Sequence, residues 1–164
     1  MTSSKSCNCS ASGAMQKMND RRAKSLLIIG QPAGMEAVVA LAVLAADEVR
    51  HVFTVDAALQ SDSAGELVLV LQHWSDEFSG TEIRRLLESR PLARFVVVQG
   101  AWCASDGRTR QAWPAAICVS ASEVSQRLDR ERAVLSGRLA PLPWTAGLDE
   151  IFAFDNGMPA EKAS

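Results

Sequence analysis

An excess of charge of either sign is missing from this chain: 17 lysines and arginines stand against 19 aspartates and glutamates, for a formal charge of -2. That balance argues against a nucleic-acid or anionic-membrane surface, so neither partner is expected. Cysteine is scarce, with four in 164 residues. Cys7 and Cys9 stand one residue apart in a polar tail, far from Cys103 and Cys118, and that spacing is not a disulfide framework. The simplest setting is a reducing cytoplasm, with Cys118, inside an apolar run, expected to act as a small buried hydrophobe. Two tail thiols without a nearby histidine make a poor metal site, and no metal is expected.

An unbroken apolar run of bilayer length is missing too. The stretch "SLLIIGQPAGMEAVVALAVLAA" comes nearest, but Gln31, Pro32, Gly34 and Glu36 divide it into a short strand-like piece and a helix-like piece. The chain is therefore read as soluble.

What is present is apolar material for one core, 48% of the residues. Residues 1–24, rich in Ser, Asn, Lys and Arg without an apolar period, are expected to be a flexible tail. Residues 25–138 make the domain and residues 139–164 an extension. Within the domain "SLLIIG", "HVFTVDA", "ELVLVLQ", "ARFVVVQG" and "AAICVS" read as five strands. The third and fourth are continuously apolar, as strands covered on both faces require, and should be central.

Helices are predicted between them. The first runs from Met35 to Arg50, and a short one fits between Asp56 and Gly65. Ser79 and Glu82 have capping-box spacing ahead of Ile83, Leu86 and Leu87, with Pro91 as the stop. Ser120 and Glu123 repeat that spacing ahead of Val124, Leu128 and Leu135, with Gly137 as the break. The stretch from Ala101 to Ala115 carries turn signals, Asp106-Gly107 and Trp113-Pro114, in place of a helix. Alternating strands and helices predict an α/β fold of the flavodoxin-like type: a doubly wound, five-stranded parallel sheet of order 2-1-3-4-5 with helices on both faces.

Sheets of this kind bind ligands beyond the carboxyl ends of their strands. The loop "GQPAG" there lacks the Lys-Ser/Thr of a P-loop, the third glycine of a dinucleotide fingerprint and the hydroxyl cluster of a flavodoxin phosphate loop. Nucleotide and flavin cofactors are not expected. Gly30 and Gly34 read as backbone requirements of a tight turn into the first helix.

On the spacing of "ELVLVLQHWSDEFSG" and "PLARFVVVQGA", the region from about Ser25 to Gly137 resembles the receiver domain of bacterial response regulators. That family carries an Mg²⁺-binding acidic pair after the first strand, a phosphoacceptor Asp ending the third, a Ser or Thr ending the fourth and a Lys ending the fifth. Carried onto this chain, those positions hold Gly30 and Gln31, Leu71, Gly100, and Ser120 or its neighbour. None of the signature groups is present. Mg²⁺ needs hard oxygen ligands and an acyl phosphate needs a carboxylate nucleophile, so the resemblance implies a pseudo-receiver acting in signal transduction without the phosphorelay chemistry.

Two loops remain as the candidate site. Gln72, His73, Trp74 and Asp76 follow the third strand; Trp102, Cys103, Asp106, Arg108, Arg110 and Trp113 follow the fourth. Tryptophan and arginine anchor interfaces, so a protein partner is one reading. In another the tryptophans cover the sheet end where a helix is missing. A third is a small-molecule-binding or thiol-dependent enzyme, the latter with Cys103 as nucleophile, His73 as base and Asp76 or Asp106 orienting the imidazole. His51 reads as an edge residue and not as a ligand. The apolar stretch "LAPLPWTAGLDEIFAFD" docks on its own domain or serves as a partner-binding or dimer-forming arm.

Overall fold

The structure is a computed structural model and describes residues 23–63, 65–103, 112–114 and 116–142. Its elements, in chain order, are β1 (Ala23–Ile29), α1 (Glu36–Leu44), β2 (Ala46–Val52), α2 (Val55–Leu59), β3 (Leu67–Trp74), α3 (Gly80–Ser89), β4 (Arg94–Trp102), β5 (Ile117–Ser120) and α4 (Val124–Leu135). The five strands form one parallel sheet in the order β2-β1-β3-β4-β5, the flavodoxin-like arrangement that the alternation of elements predicts.

Period-two alternation divides the core between the two faces. Leu67, Leu69 and Leu71 of β3 meet Met35, Val38 and Ala42 around α1, and Val124 and Leu128 of α4, on one face. Val68 and Val70 meet Val55 and Ala58 of α2, and Ile83 and Leu86 of α3, on the other. β3 lies at the centre and Leu67 to Leu71 are fully buried, which explains its continuous hydrophobic run.

Three boundaries differ from the sequence reading, the first because β1 begins at Ala23, inside the stretch 1–24 read as a tail. α1 stops at Leu44 and β2 begins at Ala46, so the charged stretch Asp47 to Arg50 is strand and not helix. β2 is an edge strand, and outward charges suit an edge because they discourage pairing with another chain. Residues that favour helix locally are held extended by pairing with β1 from Ala23 to Ile29. "TVDAAL" in turn is a helix start: the Thr54 hydroxyl accepts from Ala57 N–H and caps α2. His51 thus stands near the end of β2, its Nε2 2.8 Å from the Gly30 carbonyl.

The Ser79–Glu82 capping box forms in both directions, and α3 ends at Ser89. At Ser120–Glu123 only half of it forms. Glu123 accepts from the Ser120 N–H and hydroxyl, but Ser120 closes the strand and the helix N-cap is Glu123 itself. Gly137, at φ +70°, ends α4 as its position predicts.

Cys118 corrects another expectation: it is exposed, while Cys103 is buried. Val119 turns toward α4, and Cys118, one residue away on the last strand, turns to the opposite face. There the connection from β4 contributes no helix among its described residues.

Candidate functional site

The carboxyl edge of the sheet is closed at its centre. Gly30 ends β1 at φ +115°, and a Cβ placed there would stand 2.6 Å from the Leu71 carbonyl oxygen. Only glycine permits that approach. Leu71 is 0% exposed and its side chain belongs to the core shared with α1 and α4.

Gln72, the next residue, is also buried, and its amide is fully used. Its Nε2 donates to the carbonyls of Trp74 and Ser75, and its Oε1 accepts from the Trp113 indole at 3.1 Å. Trp113 packs edge-on against Phe78 in the core of the α2 and α3 face. This tryptophan does cover the sheet end.

The other two do not. Trp74 is 54% exposed and Trp102 83% exposed, and they are register partners at the ends of β3 and β4. Between the Gln72–Gln99 pair and the Trp74–Trp102 pair, β4 carries one residue more than β3, a bulge at positions 100 and 101. Gly100 allows it: a Cβ there would stand 3.0 Å from the His73 carbonyl oxygen.

His73 ties two loops together. Its Nε2 donates to the Ala33 carbonyl at 2.9 Å, and its Nδ1 stands 3.3 Å from both oxygens of Glu77, whose carboxylate also accepts the His73 N–H. The carboxylate on this ring is thus that of Glu77, one residue beyond the expected Asp76. Cys103 directs its thiol to the Gln72 carbonyl at 3.7 Å, so the Cys103–His73 pair of a thiol enzyme is not formed. Asp106, Arg108 and Arg110 lie outside the described residues. Among the described residues no three His, Cys, Asp or Glu side chains gather closely enough to hold a metal ion, and no helix is long and apolar enough to cross a membrane.

Glutamates stand at or near the N-termini of α1, α3 and α4 at this edge, where negative charge is favoured. Glu36 accepts its own N–H and that of Gly34; Glu82 accepts the hydroxyl and N–H of Ser79; Glu123 does the same with Ser120. These bonds hold all three carboxyls below the ordinary glutamate value of 4.5, through backbone N–H groups at Glu36 and chiefly through the serine hydroxyls at Glu82 and Glu123. Nothing in the spacing of Glu36 announced its role, whereas Ser79–Glu82 and Ser120–Glu123 were legible.

A pH dependence follows. Because the folded values lie below the unfolded ones, the unfolded chain takes up protons first, and the stabilisation is complete above the unfolded value and disappears as pH falls through the folded values. Urea midpoints measured down through pH 4 are expected to drop. Glu82→Gln and Glu123→Gln should each make that drop shallower; an unchanged slope in both would refute a stabilising role for these carboxylate bonds.

Comparison with known proteins finds no matching family model, no matching curated protein and no matching solved structure.

Proposed function

We propose that this domain is a receiver-like adaptor that works without phosphorylation and acts by contact with another protein through Trp74 and Trp102. The observation that carries this reading is the side-by-side exposure of two tryptophans at the ends of adjacent central strands. Large aromatic side chains left in water beside one another are characteristic of interaction surfaces, and tryptophan is the residue most enriched among those that dominate binding energy. Rigid strands present the pair, so little entropy is lost when a partner orders it.

Support for the loss of phosphorylation comes from the positions that would need to carry it. Leu71 is sealed in the core, Gly30 and Gly100 serve close backbone approach, and Ser120 is bonded to Glu123. Glutamates at or near the N-termini of α1, α3 and α4 add negative charge where a phosphoryl group would be drawn.

The test is affinity capture from the native cell followed by quantitative binding of the captured protein. Trp74→Ala and Trp102→Ala are each expected to weaken binding at least tenfold, about 1.4 kcal/mol. Leu92→Ala, at an exposed apolar residue away from this edge, should leave it unchanged. Full binding by the double tryptophan variant would refute the surface; phosphoryl incorporation from acetyl phosphate and Mg²⁺ would refute the loss of phosphorylation.

A further inference from the structure

The chain as a whole is nearly neutral, but its charges are not evenly placed. The segments that follow β1, β2, β3 and β5 and enter the next helix are residues 30–36, 53–56, 75–82 and 121–123. They carry Glu36, Asp56, Asp76, Glu77, Glu82 and Glu123, and no Lys or Arg. Arg85 offsets Asp56 at 3.2 Å, and Glu77 shares the His73 ring. The connection after β4 contains Asp106, Arg108 and Arg110, a single positive charge in excess, which does not reverse the sign. A helix N-terminus counts for about half a positive charge, so a full carboxylate beside it leaves the site negative.

The exposed tryptophans stand at this edge. Asp76, itself exposed, is two residues past Trp74. Glu123 bonds Ser120, the register partner of Gln99, and Trp102 lies three residues beyond Gln99, about 10 Å along the strand. Glu36 accepts from Gly34 N–H, and the neighbouring Ala33 carbonyl accepts from His73, the residue before Trp74. Charges act over about 8 to 10 Å in physiological salt, so a group seated on the rings feels the nearest of these carboxylates.

The rings favour the same sign. An indole presents a negative face, and among aromatic side chains tryptophan attracts a lysine or arginine cation most strongly. Ring quadrupole and fixed charge have different origins and select one chemistry.

We infer that the partner meets Trp74 and Trp102 with lysine or arginine side chains on a basic segment. This rests on the reading of the pair as a protein-binding surface and adds the partner's charge to it. An acidic partner would bring like charge to the edge, and an apolar one would strip water from the carboxylates without supplying a counter-charge.

The test measures binding of dye-labelled decapeptides, glycine alternating with lysine, glutamine or glutamate, to the full-length chain by fluorescence anisotropy. In about 20 mM salt the lysine peptide is expected to bind about tenfold more tightly than the glutamine peptide, and to lose most of that advantage in about 200 mM salt. Trp74→Leu with Trp102→Leu, which removes the rings and keeps apolar bulk, should weaken it about fivefold. Asp76→Asn with Glu123→Gln should do the same, with circular dichroism showing an intact fold, whereas Glu88→Gln, at the far end of α3, should change nothing. No preference for the lysine peptide, equal binding of the glutamate peptide, or lysine binding insensitive to either double variant would overturn the inference. The protein captured from the native cell separates this failure from that of the surface itself. Binding that depends on Trp74 and Trp102 but is equal at the two salt concentrations removes only the basic partner; binding indifferent to both tryptophans removes the surface.

Discussion

Leu71→Asp is expected to leave a protein with little or no native fold, and not a phosphorylatable one. The leucine side chain has no exposed surface and lies between the sheet and the α1 and α4 layer. Truncating a buried leucine costs about 2 to 5 kcal/mol through lost burial and the cavity left behind. A carboxylate there adds a desolvation cost of several kcal/mol unless it takes up a proton. Against a total stability of about 5 to 15 kcal/mol for a typical domain, the two together account for most of it. Leu71→Met, which keeps volume and chemistry, should cost less than about 1.5 kcal/mol. Urea unfolding followed by circular dichroism separates the two. A folded Leu71→Asp protein with a midpoint near that of the unaltered chain would mean that this position opens to solvent, as a phosphoacceptor must.

Glu131→Ala is the second large effect. This glutamate, fully buried on α4, accepts from Nε of Arg94 and, at 2.9 Å, from Nε of Arg127, which is itself buried. Nη2 of Arg127 stands 2.9 Å from the same oxygen without the alignment of a hydrogen bond. The cluster fastens the last helix to the strand that carries Trp102. Removing this buried carboxylate takes a charged acceptor from both guanidinium groups, a loss of about 3 to 5 kcal/mol. Replacing Arg127 and Glu131 together by Met and Leu should cost less than the single change, because apolar substitutes for a buried ion pair are often neutral and the remaining Arg94 guanidinium is partly exposed. A double-mutant cycle on thermal or urea midpoints gives the coupling. Additive effects of Arg127→Met and Glu131→Leu would show that the contact contributes nothing.

The architecture was legible because it depends on patterns that repeat within single elements. The unbroken apolar runs of β3 and β4 announced burial on both faces, and Ser79, Glu82 and Gly137 marked helix ends through chemistry confined to a few neighbouring residues. The first helix was overextended through Asp47, Glu48 and Arg50, since local propensity cannot register that an adjacent strand waits to pair with them. Cys118 was misjudged for a related reason: an apolar run in an edge strand does not reveal which of its faces goes uncovered. In the candidate site the partners of the described side chains were not legible. Glu77 in place of Asp76 on His73 depends on the path of the loop after β3, and Trp113 on Gln72 on how the connection after β4 lies against it.

By itself, then, the order of residues determined the doubly wound sheet, the core positions of β3 and the lack of a carboxylate at Leu71. Only the tertiary structure decided that one tryptophan is core and two form a surface pair. Counting along the strands puts Trp74 two residues beyond Gln72 but Trp102 three beyond Gln99, which would turn them to opposite faces. The bulge at positions 100 and 101 absorbs the odd residue, and Gly100 suits it, since a Cβ there would stand 3.0 Å from the His73 carbonyl oxygen. Alternation is a property of one strand, whereas register belongs to two.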